Sequence, residues 1–270
     1  MSRRLPGKHF LRNLVERRTL LFQLVRRDFE QRFVGSVMGW IWGILHPLVL
    51  LVSWYYIFVL VLHNTLPPGE VTQSYPLFIF SGMLPWMLFS ETVQRSASSL
   101  LEHANLITKS MFPAEIVPVA VFLSNLASHL LALALMIAAT LYWNRRIGWA
   151  ALLLPMYLLL IGLFSVGLGW IASSLHVFLR DTAQVVSVIL TFWFWLTPIM
   201  VPAGMIPERY RWILRFNPMY YAVELYRQAF FTSHFPEPRE LLALALSGIA
   251  MFVAGGLFFR YVKRGFADVL

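Results

Sequence analysis

Residues 147–179 read IGWAALLLPMYLLLIGLFSVGLGWIASSLHVFL and contain no Asp, Glu, Lys or Arg. A helix needs roughly 20 mainly apolar residues to cross the hydrocarbon core of a bilayer, and this stretch is longer. Inside lipid the backbone must satisfy its own hydrogen bonds, so an uncharged run of this length favours a helix. The stretch therefore predicts a transmembrane helix.

Five further stretches of the 270-residue chain share this uncharged, apolar character, and they lie at residues 33–69, 71–90, 116–144, 182–207 and 241–259. Charged residues make up only 13% of the chain, whereas soluble domains contain roughly 25%. The sequence thus predicts an all-α membrane protein with six transmembrane helices. We divide the chain into a cytoplasmic amphipathic interface helix at residues 1–36 and a transmembrane domain at residues 37–270.

The basic residues indicate how the chain is oriented in the membrane. With the N-terminus inside and six alternating spans, most of the 22 Lys and Arg residues fall on the cytoplasmic side. Arg145 and Arg146 go against this bias, but the first basic cluster usually dominates. We therefore expect both termini in the cytoplasm. The net charge of +9 reflects these flanking residues, so we expect no nucleic acid partner.

The region before the first span has the pattern of an amphipathic helix. Phe22, Val25, Phe29 and Phe33 recur at helical spacing, with polar and basic residues between them. Such a basic amphipathic segment next to a span predicts a helix over about residues 8–34 that lies in the membrane interface. A simple solvated anchor would show the same pattern.

The chain changes character after the fifth span, where prolines recur and two short helices are predicted, at about residues 207–216 and 218–231. Asn217-Pro218 favours a helix start, because Asn can cap the first turn and Pro fits the first helical position. Helices this short do not cross a bilayer. The sequence therefore predicts a re-entrant helical hairpin between transmembrane helices 5 and 6, bordering a cavity.

Glu91 is a carboxylate that falls near membrane depth, at the end of the second span. An acid inside a membrane is a functional candidate. Arg95 lies four residues later on the same helix face, however, and a pair between the two would explain Glu91 structurally. Both interpretations remain open from the sequence.

The main cytoplasmic loop follows Arg95, and residues 105–113 predict a short helix that stops at Pro113. The segment mixes apolar side chains with one basic residue. A cytoplasmic loop that exposes apolar side chains is typical of a docking surface for another protein.

Several kinds of chemistry lack their residues in this sequence. There is no G-x-x-x-x-G-K-[ST] stretch to hold nucleotide, no Cys, no H-E-x-x-H and no close carboxylate pair. We therefore expect no catalytic residue, metal site or cofactor in this chain, and an energy source on a partner. An integral membrane glycosyl- or acyltransferase would need an intramembrane carboxylate or His cluster, which is missing here.

Five groups of short motifs follow one another along nearly the whole chain. They comprise Arg27-Asp28, Arg32, Ser36, Gly39, Trp42 and Pro47; Gly82, Pro85, Trp86 and Phe89; Asn105-Leu106-Ile107, Lys109, Phe112-Pro113 and Pro118; Arg180-Asp181; and Pro198-Ile199, Asn217-Pro218-Met219, Tyr221, Glu224, Tyr226 and Arg227. In this order they resemble the permease subunits of ABC-2 type exporters, in the branch that exports polysaccharides and polyol phosphates such as O-antigen, capsule and teichoic acid. Ala114 departs from the pattern, since family members often have a basic residue there.

The resemblance implies a half-transporter in a bacterial inner membrane that forms a homodimer and pairs with two copies of a separate ABC ATPase. ATP and Mg would bind to that partner. It also implies a lipid-linked glycan as cargo, with membrane lipids around the protein. An ABC-2 exporter of drugs or other lipids is the alternative, because it would have the same fold.

The resemblance and the patterns together indicate candidate residues for four roles. Coupling to the ATPase is expected from Asn105, Leu106, Ile107, Lys109, Phe112 and Pro113. A cytoplasmic gate is expected from Arg27, Asp28, Arg32, Arg180 and Asp181. The outer hairpin, expected to close the outer mouth of the pore, carries Asn217, Pro218, Tyr221, Glu224 and Arg227.

Aromatic rings form the fourth group, because a ring presents apolar area to the C–H face of a sugar. The pore-lining candidates are Trp40, Trp42, Tyr55, Tyr56, Trp193, Phe194 and Trp195. The same rings would also suit an interfacial aromatic belt.

Overall fold

A computed structural model describes residues 17–32, 34–109, 112–144 and 147–268. These residues form helices joined by turns, and none of them is in a strand, which confirms the all-α class. The helices are α1 (Arg18–Gln31), α2 (Trp42–Trp54), α3 (Tyr75–Glu102), α4 (Ala104–Lys109), α5 (Ile116–Asn144), α6 (Leu154–Phe178), α7 (Thr182–Leu196), α8 (Arg211–Arg215), α9 (Pro218–Phe231) and α10 (Pro238–Val262).

Five segments of the described chain are long and apolar enough to cross a membrane, namely Gly39–Val61, Tyr75–Glu102, Ile116–Trp143, Trp149–Phe178 and Pro238–Phe266. The stretch expected to form another span, residues 182–207, contains the 15-residue helix α7, which is shorter than the roughly 20 residues that a span needs. Pro198 and Pro202 follow α7 and prevent its continuation. The protein is thus a multi-pass membrane protein, and the count of six crossings stays a prediction.

The core is built around α3, which is the most deeply buried of the five spans. Helices α5, α6, α7 and α9 pack around it. The first and last spans expose most of their surface, as expected for helices at the periphery of a membrane protein. The first span is also irregular, since a 3₁₀ turn at Gly39–Ile41 precedes α2 and a π-helical stretch at Tyr55–Val61 follows it.

Small residues allow α6 and α10 to approach closely. A side chain at Gly167 would collide with the backbone at Met251, and one at Gly255 would collide with the backbone at Gly167. Helices in lipid gain no hydrophobic stabilisation from meeting each other, so this close backbone contact is what favours their packing.

Helix α1 packs against α5 through a small apolar cluster. Leu24 is buried there with Ile116 and Ala120. Phe22, expected on the apolar face, is instead 68% exposed. Residues 1–16, the beginning of the expected N-terminal helix, lie outside the described residues. Whether α1 lies in the membrane interface stays a prediction.

The hairpin region contains the expected short helices. Helix α9 has the predicted bounds, and the side chain of Asn217 accepts a hydrogen bond from the backbone N–H of Met219 at 3.0 Å. The helix expected at residues 207–216 is shorter, because a 3₁₀ turn at Glu208–Tyr210 precedes α8. The re-entrant position of these helices in a membrane stays a prediction.

Candidate functional site

Two ion pairs connect α1, together with Arg32 at its C-terminal end, to α3 at one end of the helix bundle. Arg95 donates from Nη2 to Oδ1 of Asp28 at 2.7 Å, and Arg32 donates from Nη1 to Oε1 of Glu91 at 3.2 Å. The structure therefore replaces the pair expected between Glu91 and Arg95 on one helix with two pairs between helices. The reason is that α1 places an opposite charge beside each of these residues.

Asn125 of α5 joins the two pairs into one network, hereafter the α1 charge cluster. Its side-chain oxygen accepts hydrogen bonds from Arg95, at 2.8 Å, and from Arg32. Its amide nitrogen donates to Thr92 at 3.0 Å, and Arg32 also donates to Ser128 at 3.0 Å. Oδ2 of Asp28 and Nε of Arg32 are buried without a hydrogen bond, but they lie 3.8 Å from each other and so attract each other through their charges.

The electrostatics of the α1 charge cluster are balanced. Arg32 and Asp28 are only 16% and 15% exposed. Burial lowers the pKa of Arg32 and the nearby Arg95 lowers it further, whereas the carboxylates of Glu91 and Asp28 raise this pKa. Two cations face two anions, so removing one member would leave a partly buried charge without its counter-charge.

The other residues predicted for the cytoplasmic gate lie apart from this cluster. Arg27 is exposed on α1. Arg180 and Asp181 form the exposed turn between α6 and α7. The structure thus brings Asp28 and Arg32 together with α3 and α5, but it does not add the other three residues to them.

The segment predicted to couple to an ATPase, residues 105–113, divides into exposed and inward-facing side chains. Asn105 and Leu106 of α4 are exposed, whereas Ile107 packs against the main core. Phe112 is partly buried between the main core and the small apolar cluster around Leu24, and Pro113 is buried. Lys109 ends α4, but its side chain lies outside the described part of the structure.

Arg227 is the centre of a second polar cluster, in the hairpin. It is 1% exposed and donates to Glu224 Oε1 at 2.8 Å. It also donates to the backbone carbonyls of Pro198 and Ile199, at 2.8 and 2.9 Å, and its guanidinium lies 3.6 Å from the ring centroid of Phe78. The carbonyls lie just after the end of α7, where no helix supplies donors, so Arg227 satisfies them.

Neighbouring residues complete this second cluster. A side chain at Gly82 would meet Nη2 of Arg227 at 3.1 Å, so glycine leaves the space that the guanidinium occupies. Burial raises the pKa of Glu70, in the loop before α3, and the carboxylate of Glu224 raises it further, whereas Arg227 lowers it. Glu70, Glu224 and Arg227 therefore share one electrostatic environment.

Asn217 and Tyr221 fasten the rest of the hairpin. Asn217 accepts from the indole N–H of Trp193 at 2.8 Å and donates to Thr197 Oγ1 at 2.9 Å, so it links the end of α7 to the start of α9. The hydroxyl of Tyr221 donates to the carbonyl of Arg215 at 2.9 Å. Pro218 occupies the first turn of α9, as predicted.

The aromatic candidates fall into two groups. Trp193 and Phe194 belong to a packed cluster with Trp86 and Phe89, in which ring centroids lie 5.2 Å apart for Phe89 and Trp193 and 5.6 Å apart for Trp86 and Phe194. The others have exposed rings, namely Trp40, Trp42, Tyr55, Tyr56 and Trp195. A pore-lining role remains a prediction for all of them, but packing accounts for Trp193.

A cleft of about 480 Å³ opens between α3 and α7. Glu91 lines it, with aromatic rings from Trp86 and Phe194 and with a polar row that the sequence analysis missed, consisting of Ser90, Gln94, Ser187 and Thr191. The signal for this row was available: on each helix the two polar residues are four apart and therefore share a face. Among the described residues, no group of His, Cys, Asp and Glu could hold a metal ion.

Comparison with known proteins gives consistent matches over most of the chain. Residues 19–231 match the family model described as ABC-2 type transporter. The chain is 30% identical over 260 residues to the O-antigen export system permease protein RfbA of Myxococcus xanthus, covering 96% of this chain and 98% of that protein.

Two further relatives are similar at lower identity. The protein of the same name from Klebsiella pneumoniae is 28% identical over 255 residues, covering 93% of this chain and 95% of that protein. The polysialic acid transport protein KpsM of Escherichia coli is 27% identical over 239 residues, covering 87% of this chain and 88% of that protein.

Proposed function

This chain belongs to the ABC-2 type transporter family, and from that premise we propose that it is the permease subunit of a bacterial polysaccharide exporter. Its cargo is a lipid-linked glycan of the O-antigen or capsule type, carried across the inner membrane. The observation that carries the proposal is the match over 98% of the length of a relative whose name states O-antigen export. A second relative, matched over 88% of its length, is named for polysialic acid transport.

The energy for export comes from a separate subunit in this proposal. The sequence has no G-x-x-x-x-G-K-[ST] stretch to hold the phosphates of ATP. Two copies of the chain form a homodimer and pair with two copies of an ABC ATPase, which binds ATP and Mg. Both termini lie in the cytoplasm, because most basic residues then lie on that side.

The α1 charge cluster serves as the cytoplasmic gate. Helix α1 cannot move away from α3 without breaking both the Asp28–Arg95 and the Arg32–Glu91 pair. Arginine binds phosphate well, through charge-assisted hydrogen bonds. The phosphate of a lipid-linked glycan would compete with Glu91 for Arg32, and the arrival of cargo would thereby release one of the two contacts that hold α1.

The cleft between α3 and α7 provides a surface suited to a sugar chain. Ser187 and Thr191 of α7 face Ser90 and Gln94 of α3 there. Hydroxyl and amide groups can exchange hydrogen bonds with sugar hydroxyls, and the neighbouring rings can pack against the apolar faces of the sugars. A wall of this kind makes few strong contacts with any one sugar, as a path for a long polymer requires.

The outer cluster around Arg227 closes the far end of the path. It holds the segment after α7 against α3 and α9, so the hairpin is a packed body rather than a loose loop. ATP binding on the partner moves the coupling segment, residues 105–113, and the helices shift as rigid bodies until the hairpin separates from the hairpin of the second copy.

The proposal is tested in a strain that lacks this gene, by measuring polymer at the cell surface and polymer retained on its lipid carrier inside. We expect the deletion to remove surface polymer and to accumulate the lipid-linked form, and the restored gene to reverse both. Purification of the tagged chain should also recover an ABC ATPase. Normal surface polymer in the deletion strain, or drug sensitivity as its sole defect, would contradict the proposal.

A further inference from the structure

The C-terminal end of the last span contacts the chain directly after the coupling segment. Lys263 begins a 3₁₀ helix, Lys263–Asp268, that follows α10. Its Nζ donates to Oε2 of Glu115 at 2.6 Å. Glu115 precedes the first residue of α5 and lies only two positions after Pro113, where the coupling segment ends. This ion pair joins parts of the chain that are 148 residues apart.

The backbone of Glu115 is held from a second direction. The indole N–H of Trp170, in α6, donates to the carbonyl oxygen of Glu115 at 3.0 Å. Trp170 is 1% exposed, and its ring lies 4.9 Å from that of Phe252 and 6.3 Å from that of Phe259, both in α10. Trp170 of α6 thus contacts the backbone of Glu115, and Lys263, directly after α10, contacts its side chain.

The 3₁₀ helix that carries Lys263 is itself fixed in place. Phe266 is 3% exposed, and its ring lies 5.5 Å from that of Phe259 and 6.1 Å from that of Phe178, at the end of α6. Because Phe266 is buried, Lys263 approaches Glu115 from an anchored segment.

Residues 112–116, hereafter the junction, are thus contacted from both ends of the chain. Phe112 and Ile116 pack with Leu24 of α1, near the N-terminus. Glu115 pairs with Lys263, near the C-terminus. Packing and hydrogen bonds thus hold Phe112 and Glu115 of the junction in place, whereas Asn105 and Leu106 of α4 are exposed and can contact a partner.

We propose that the Glu115–Lys263 pair is a positioning contact that transmits movement of the coupling segment to α6 and α10, as Phe112 and Ile116 transmit it to α1. This inference rests on the proposed function, because it takes residues 105–113 as the place where the ATPase acts. Without the pair, the coupling segment still binds the ATPase, but its displacement turns the junction instead of moving the spans. ATP hydrolysis and export then become separated.

The test uses the complete permease–ATPase complex with charge-reversed variants Glu115→Lys and Lys263→Glu, and with the double exchange. Each single variant should assemble with the ATPase and hydrolyse ATP as the parent does, while export of polymer falls by at least about threefold. The double exchange should restore export, because the pair is re-formed with its charges reversed. Arg264→Glu is the matched control, since it makes the same charge change at an exposed neighbour and should leave export unchanged.

A second measurement covers variants that fail to accumulate in the membrane. Glu115→Gln and Lys263→Met remove the pair without placing like charges together. They should raise the ratio of ATP hydrolysed to polymer exported above that of the parent, as the charge-reversed variants do. A contact that only stabilises the fold would lower abundance, ATP hydrolysis and export in parallel, and the ratio would stay constant.

The outcomes separate the two proposals. If the parent complex shows no ATP-dependent export, the proposed function is wrong whatever the variants do. If the parent exports but the single variants match Arg264→Glu, or the double exchange does no better than either single variant, the positioning role of Glu115 and Lys263 is wrong while the proposed function stands.

Discussion

The guanidinium of Arg227 lies 3.6 Å from the centre of the Phe78 ring, and this contact joins the hairpin to α3, the most buried of the five candidate spans in the described residues. Phe78 is fully buried, and Arg227 is 1% exposed. A cation over an aromatic face is stabilised by the ring, and the effect grows when water is excluded. The hydrogen bonds of Arg227 to Glu224, Pro198 and Ile199 account for most of its remaining donors.

Replacing Arg227 should therefore destabilise the folded protein. We expect Arg227→Met to lower the free energy of unfolding by about 3–5 kcal/mol, because the partly buried Glu224 loses its counter-charge and the carbonyls of Pro198 and Ile199 lose their donor. Thermal unfolding of the purified protein in detergent measures the change. Arg209→Met is the control, since Arg209 is exposed in the same region. Equal midpoints for the two variants would contradict the role assigned to Arg227.

Glu70 should make stability depend on pH. Burial raises its pKa in the folded protein above the ordinary value of 4.5, so the folded state favours the protonated form. The contribution of Glu70 to stability should thus be fully present at low pH and be lost as pH rises from 4.5 through the raised value. Glu70→Gln should remove this part of the pH dependence and leave the variant more stable than the parent at neutral pH.

The measurement is the unfolding midpoint as a function of pH for the parent, for Glu70→Gln and for Glu237→Gln, which changes an exposed carboxyl in the loop between α9 and α10. Subtracting the variant curve from the parental curve isolates the contribution of Glu70. If the parent instead gains stability relative to Glu70→Gln as pH rises above 4.5, the sign is wrong and Arg227 dominates the surroundings of Glu70.

Arg32 and Arg27 should behave differently, although the sequence analysis placed both in the gate. Arg32 bonds to Glu91, Asn125 and Ser128, whereas Arg27 is exposed. We expect Arg32→Gln to reduce export by at least about threefold at normal abundance, because it removes the contacts through which Arg32 holds α1 against α3 and α5. Arg27→Gln is the matched control and should export normally. Similar export by the two variants would remove the α1 charge cluster from the mechanism.

A bulky residue in the cleft should block the path of the polymer. Ser187 lines the cleft between α3 and α7, so Ser187→Phe should fill part of it and reduce surface polymer without lowering the amount of protein. Val253→Phe, at an exposed position of α10, introduces the same ring elsewhere and should have no effect. Export by Ser187→Phe at the level of Val253→Phe would place the path outside this cleft.

Local signals allowed some of these features to be predicted from sequence and not others. The start of α9 was predictable because Asn217 and Pro218 act within one turn of the helix that they begin. The partners of Glu91 and Arg95 were not, because they depend on how α1 packs against α3. Hydropathy alone suggested a full span at residues 182–207, since it does not register that the prolines after Leu196 end the helix.

The contrast between local signals and tertiary contacts also explains why the surroundings of the aromatic residues and of the polar row were not predicted. In the sequence, Trp193 is a large aromatic residue in an apolar stretch. Its packing against Phe89 and its hydrogen bond to Asn217 arise from tertiary structure. Ser187 and Thr191 were hidden within an apolar run, and their importance appears when α7 is placed beside α3. Spacing of four residues was a signal for that shared face, although it does not identify the helix opposite.

The exposed and inward-facing residues of the coupling segment should give different defects. Leu106 is exposed on α4, so Leu106→Asp should leave the permease folded and abundant but reduce the ATPase that co-purifies with it. Ile107 packs against the main core, and Ile107→Asp buries a charge, so the permease itself should lose stability and abundance.

Leu106→Ala is the control that retains a neutral surface and should weaken the complex less than Leu106→Asp. The measurement is the ratio of ATPase to permease after purification, together with the amount of permease in the membrane. If Leu106→Asp retains the full ratio, the ATPase contacts another surface, and the exposed turn at Arg180 and Asp181 becomes the next segment to change.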